Sequence, residues 1–102
     1  MVNSAQDIQT IITQNSSQFH NYGVVKIGLF GSFARNNNGI NSDVDLLVEF
    51  AKGKKSFKNY MATADFAEKT LGRKVDLVTK ESLSPHIAPH ILNEVQYVQI
   101  TG

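Results

Sequence analysis

Three aspartates in the chain interrupt runs of strand-forming residues: Asp43 and Asp45 in DVDLLVEF (43–50), and Asp76 in KVDLVT (74–79). Side chains at i and i+2 of a strand project to the same face, so Asp43 and Asp45 point together while Val44 points into the core. Their Cα atoms are then about 6.5–7 Å apart, close enough for both carboxylates to converge on a cation. Without one, facing carboxylates repel and one of them tends to hold a proton. If the two strands are neighbours, Asp76 joins the pair. Upstream, Gly31 and Ser32 follow the run VVKIGLF (24–30). A chain turning there into a short helical segment exposes N–H groups to phosphate oxygens; Gly31 lets the backbone come close, and the Ser32 hydroxyl adds a hydrogen bond. Arg35 presents a fork of donors suited to phosphate, and suits the surface of a short helix equally well. A phosphate cradle opposite a carboxylate cluster is equipment for a metal–nucleotide complex. Neither G-x-x-x-x-G-K-[ST] nor G-x-G-x-x-G occurs, so the cradle is of another kind.

The elements that must position these residues follow from the hydrophobic pattern. Ser4 followed by Asp7 resembles a capping box, and Ile8, Ile11 and Ile12 recur at helical spacing, which predicts a helix over about 4–18. Gly23 ends that region, and 24–30 reads as a buried strand. Residues 32–35 start a helical turn that the cluster Asn36, Asn37, Asn38, Gly39, Asn41 and Ser42 cannot continue. The second strand is 43–50. After the polar connection AKGKKS (51–56), the residues Phe57, Tyr60, Met61, Ala64, Ala67 and Leu71 predict a helix ending at Gly72, with the Phe57, Tyr60, Met61 stripe read as core packing. The third strand is 74–79, and a strand-helix-strand unit of this kind makes parallel strands with a right-handed crossover. Pro85 and Pro89 restrict the remainder to a short helix at about 88–94 and a weak edge strand at 95–100.

At 102 residues the chain suits one domain spanning 1–102, with one sheet covered by helices and no room for a second core. A hydrophobic fraction of 41% with 19% charged residues is that of a soluble globular protein, and no stretch reaches the roughly 20 apolar residues that span a bilayer. The N-terminus lacks a signal-peptide pattern, so a cytoplasmic location is expected. With no cysteine, a metal must be held by carboxylates or histidines, which favours a hard cation. His20, His86 and His90 have no partners at a convincing zinc spacing. A net charge of +1 argues against wide-surface binding of nucleic acid. Lys52, Lys54, Lys55 and Lys58 form a local basic cluster near the expected mouth of the site, read chiefly as a solvated loop.

Gly31-Ser32, ten residues, then Asp43-Val44-Asp45 resembles the signature of the DNA polymerase beta nucleotidyltransferase superfamily, most closely its minimal, MNT-type branch. GLFGSFAR, SDVDLLVEF, KVDLVT and the closing pattern of Pro85, Ile87, Ile91, Leu92 and Glu94 all look like that branch, so the resemblance covers roughly residues 24–98. It implies an α+β (mixed α/β) fold, a small nucleotidyltransferase with a mixed sheet of three or four strands flanked by helices. It also implies Mg²⁺ held by Asp43 and Asp45, with Asp76 completing the metal site or accepting the proton of the attacking hydroxyl. Gly31 and Ser32 would take the triphosphate of ATP. The branch further implies transfer of AMP to a tyrosine hydroxyl on a partner HEPN ribonuclease toxin, with this protein as the antitoxin. Two features depart from the pattern: the Asn-rich loop NNNGIN and Pro89 in the C-terminal helix. A rival reading is a non-catalytic antitoxin that neutralises its toxin by binding and occlusion. Modification of a small molecule is a weaker third, because those enzymes need extra chain for the acceptor pocket.

Overall fold

A computed structural model describes residues 2–101. Helix α1 (Ala5–Gln14) starts at Ser4, whose hydroxyl accepts from the Asp7 N–H at 3.1 Å, while the Asp7 carboxylate accepts in return from the Asn3 N–H at 3.0 Å. The reciprocal bond of the capping box is thus displaced by one residue. The expected helix to residue 18 is instead broken at Asn15, and α2 (Ser16–Asn21) follows. The Asn15 amide donates to the Ile11 carbonyl at 2.8 Å, the local side-chain bond that makes Asn a poor interior helix residue.

Strands β1 (Val24–Phe30), β2 (Val44–Phe50), β3 (Val75–Thr79) and β4 (Gln96–Gln99) form one sheet in the order β3-β2-β1-β4. Helix α3 (Phe57–Leu71) connects β2 to β3, which lie parallel; β1 pairs antiparallel with β2 and with β4. The sheet is therefore mixed, as expected. Ser56 caps α3 by accepting from the Asn59 N–H, and Gly72, at φ 71°, ends it with its N–H on the Glu68 carbonyl. A short turn at Lys80–Ser82 leads to α4 (Ala88–Glu94).

The period-two alternation of the strands divides the core in two. On one face Leu29, Val44, Leu46, Val48, Val75 and Leu77 pack beneath α1, α2 and α3 with Ile8, Ile12, Phe19, Ala67 and Leu71. On the other, a smaller cluster of Phe30, Leu47 and Ile91 forms where α4 crosses the sheet. Asp45 belongs to this second face, one step along β2 from Leu46. The expected stripe on α3 is only partly internal: Tyr60 packs against the core, whereas Phe57 is 81% exposed and Met61 also faces solvent. In the first turn of α3 Tyr60 turns inward, its hydroxyl donating to the Leu77 carbonyl of β3, while Phe57 is left outside. Among the described residues, no helix is long and apolar enough to cross a membrane.

Candidate active site

Parallel pairing of β2 with β3 sets Asp45 opposite Asp76, and antiparallel pairing with β1 sets Asp45 opposite Phe30, the residue before Gly31. Neighbouring strands lie about 4.8 Å apart, so register alone brings the two acids together beside the turn. Asp43 lies just ahead of β2 and is exposed. Between the two, Val44 is fully buried and its N–H donates to the Lys74 carbonyl at 2.9 Å, which fixes the start of the strand. The Asp45 carboxyl is pushed up from 3.8 to about 6, first by burial, then by the charges of Asp76 and Asp43; Arg35 opposes the rise and Glu94 adds to it.

Gly31 sits at φ 79°, a conformation that side-chain-bearing residues rarely adopt. A Cβ there would lie 2.0 Å from Asp45 Oδ2. The glycine is thus required by the aspartate it adjoins, a nearer reason than the phosphate approach expected from sequence. Residues 31–37 form a compact turn in which Arg35 N–H donates to the Gly31 carbonyl and Asn37 N–H to the Ser32 carbonyl, at 3.2 and 2.8 Å. Phe33, fully buried, anchors it. Among the described residues the N–H groups of Ser32, Phe33 and Ala34 have no protein acceptor, so the turn offers consecutive donors as a cradle requires. The Gly31 N–H is already engaged, donating to Glu94 Oε1 at 3.1 Å. Arg35 reaches the same carboxylate, its Nη1 lying 3.1 and 3.0 Å from the two oxygens.

Two contributors carry little or no signal in the sequence. Glu94 stands in the closing pattern, but nothing in its spacing points to the Gly31 turn. Arg73 follows the helix-ending Gly72 and looks like an ordinary surface residue. Its Nε donates to the Val2 carbonyl at 2.7 Å, its Nη1 to the Ile40 and Ser42 carbonyls at 2.8 and 3.2 Å, and its guanidinium lies 5.1 Å from the centre of the Phe33 ring. One side chain therefore ties the N-terminal segment, the Asn-rich loop that delivers Asp43, and the residue anchoring the Gly31 turn. The loop is further closed by the Gly39 N–H on Ser42 Oγ at 2.7 Å.

The basic cluster is not at the mouth of the site. Lys52, Lys54, Lys55 and Lys58 follow Phe50, at the far end of β2, about 16 Å along the strand from Asp45. Lys55 pairs there with Glu81 at 3.0 Å. His20, His86 and His90 are exposed.

No three acids or histidines among the described residues are gathered closely enough to hold a metal ion by themselves. The donor chemistry nevertheless fits Mg²⁺, which takes oxygen ligands and is commonly bound by one or two carboxylates together with substrate phosphates. The charges of Asp76 and Asp43, which add to burial in raising the Asp45 carboxyl, are what a cation there would neutralise.

Two carboxylates brought into register by a parallel strand pair, next to a turn that presents free N–H groups, is the layout of a nucleotidyltransferase. Comparison with known proteins agrees. The chain belongs to the nucleotidyltransferase domain family, whose model matches residues 8–98. It is 38% identical over 94 residues to the protein adenylyltransferase MntA of Thermococcus cleftensis, covering 91% of this chain and 94% of that one. Among solved structures it resembles one assigned as a minimal nucleotidyltransferase, at 28% identity and a TM-score of 0.72, over 89% of this chain and 88% of the other. A weaker likeness is to the complex of a tri-AMPylated Shewanella oneidensis HEPN toxin with its MNT antitoxin. At 21% identity, a TM-score of 0.55, and 92% and 72% coverage, that likeness speaks for the fold alone. The expected α+β fold and the resemblance to the minimal, MNT-type branch are both borne out.

Proposed function

We propose that this protein transfers AMP from ATP to a tyrosine hydroxyl of a partner HEPN ribonuclease toxin, in the presence of Mg²⁺, and so acts as its antitoxin. The observation that carries the reading is the register of Asp45 with Asp76 beside the Gly31–Ser32 turn. The similarity to MntA supports a protein as the acceptor. So does the open face that holds the acids, where a hydroxyl on a large partner can approach; Asp43 and Asp76 are both exposed. The reading has a single minimal domain meeting its partner in the cytoplasm.

In this reaction the acceptor oxygen attacks the α-phosphorus, the bond from that phosphorus to the bridging oxygen breaks, and pyrophosphate leaves. The N–H groups of Ser32, Phe33 and Ala34, with the Ser32 hydroxyl, hold the departing phosphates, and Arg35 faces the charge that develops on them. Asp43 and Asp45 are the residues that would hold Mg²⁺, with Asp76 as the third acid of the set or as the acceptor of the hydroxyl proton. When bound, the ion neutralises phosphate charge and orients the α-phosphate. Burial of Val44 and Phe33 keeps the acids and the turn in fixed relation, so the protein's work is positioning.

The test is transfer of label from α-phosphate-labelled ATP into a lysate of the source cells. Wild type is compared with the Asp43→Asn, Asp45→Asn double variant. Label on a protein with wild type alone supports the reading and identifies the partner. Absence of label, with the partner bound equally by both versions, overturns it in favour of neutralisation by occlusion.

A further inference from the structure

We propose that Glu94 is a positioning residue of the nucleotide site, holding Arg35 and the Gly31 turn in the arrangement that receives the triphosphate. The proposal rests on the nucleotide-transfer reading above. Glu94 is the last residue of α4, where a carboxylate faces the negative end of the helix and is locally disfavoured. Its surroundings offset this. Oε1 accepts from the Gly31 N–H and from Arg35 Nη1, both at 3.1 Å, and Oε2 accepts from the same Nη1 at 3.0 Å. The Glu94 side chain is 25% exposed and that of Arg35 54% exposed, so the acid is the anchored partner and the guanidinium the one that reaches out.

The geometry leaves Arg35 held by one nitrogen only. A guanidinium carries five N–H donors, and among the described residues those on Nε and Nη2 have no protein acceptor. Arg35 is therefore fixed in place with an edge of its planar fork still free for two oxygens of an anion, the bidentate geometry in which guanidinium meets phosphate. Its backbone is held as well, by its N–H on the Gly31 carbonyl at 3.2 Å. Glu94 thus grips both ends of one turn, Gly31 through the backbone and Arg35 through the side chain. Gly31 itself adjoins Asp45, since a Cβ there would lie 2.0 Å from Asp45 Oδ2, so the residue Glu94 grips stands beside the acids. The ordering of a long side chain before the ligand arrives lowers the cost of binding. The closing pattern of the sequence, for which the reaction itself supplies no role, ends on this carboxylate.

The alternative is that Glu94 competes with the nucleotide for the same donors, and the two make opposite predictions. Binding of a non-hydrolysable ATP analogue with Mg²⁺ is measured by calorimetry for wild type, Glu94→Ala, Glu94→Gln, Arg35→Ala and the Arg35→Ala, Glu94→Ala double variant. KM and kcat for label transfer are measured alongside. Glu94→Ala is expected to weaken analogue binding and raise KM about tenfold, the effect of one charge-assisted hydrogen bond, with a smaller change in kcat. Glu94→Gln, whose amide oxygen still accepts from Gly31 and Arg35, is expected to recover part of the loss. In the Arg35→Ala background the Glu94→Ala change should fall well below tenfold, to the part that passes through the Gly31 N–H, because the rest passes through Arg35. Unchanged or tighter binding by Glu94→Ala, or a full effect without Arg35, overturns the proposal. If Glu94→Ala melts early, Glu94→Gln and Arg35→Ala carry the comparison. A wild type that binds the analogue but transfers no label overturns the proposed function and leaves the binding comparison to judge Glu94 separately.

Discussion

Replacing Asp45 with Asn should abolish transfer and at the same time stabilise the nucleotide-free protein. Burial and the neighbouring charges of Asp76 and Asp43 raise the Asp45 carboxyl from 3.8 to about 6. Between these values the folded state binds more protons than the unfolded one, so stability falls as pH rises through the window and the penalty is complete above pH 6. A rise of this size is equivalent to about 3 kcal/mol if none of it is screened. Asp45 is only partly buried and its neighbours are exposed, so water reduces this to about 1–2 kcal/mol. Asp45→Asn is close to isosteric and removes the charge. Its thermal midpoint, without divalent cations, should exceed that of wild type at pH 8 by about 4–8 °C per kcal/mol. The gain should shrink as pH falls and approach zero only below about pH 3, where the carboxyl is protonated in the folded and the unfolded state alike. Melting curves at pH 4, 5, 6 and 8 with a chelator present make the comparison. A variant less stable than wild type at pH 8, or a gain independent of pH, would refute the reasoning, because the charge would then not be the source of the cost.

Three further predictions follow from the geometry of the site and its surroundings. Gly31→Ala puts a methyl group onto Asp45 Oδ2 in a left-handed backbone conformation, and should cost at least about 1–2 kcal/mol in urea unfolding together with most of the transfer activity. Arg73→Lys keeps the charge but loses the fork that spans the Val2, Ile40 and Ser42 carbonyls; the expected loss is about 2–3 kcal/mol, with faster amide exchange across 37–43 as the readout. Lys54→Glu should leave the KM for ATP unchanged in 0.15 M salt, since the residue lies at the far end of β2 and the Debye length is about 8 Å.

The sequence was most legible where periodicity and end signals coincide. Strand β1 has the expected bounds, β2 and β3 each begin one residue later than expected, and α3 and α4 end where the glycine and the short final pattern place them. The union of Asp45 with Asp76 was conditional on strand adjacency, which the strand-helix-strand unit between them made the natural topology. Other features depend on contacts that no local pattern encodes. The break at Asn15 comes from a side-chain bond that competes with the helix only in its final turn. Phe57 keeps a helical spacing with Tyr60 and Met61, yet spacing cannot say which of the three the core covers. Arg73 and Glu94 act across separations of 31 to 71 residues, and their partners are mostly backbone groups, which leave no trace in residue identity. The lysine cluster was misplaced because the direction of β2 relative to the acids decides which loops lie at the mouth.

The site divides its work between a backbone that is settled and a charge distribution that is not. No buried side-chain polar atom lacks a partner among the described residues, the loop before Asp43 is tied by Arg73, and the Gly31 turn is gripped by Glu94. Burial and then the crowding of the acids, by contrast, raise the Asp45 carboxyl to about 6, and adjacent N–H groups have no acceptor. Folding alone gains nothing from either feature, since the first costs stability and the second leaves donors to water. In the proposed function both would be offset together by one kind of ligand, a polyphosphate that fills the donors and carries a cation to the acids. A cation without phosphate leaves the turn unfilled, and phosphate without a cation adds negative charge beside Asp45.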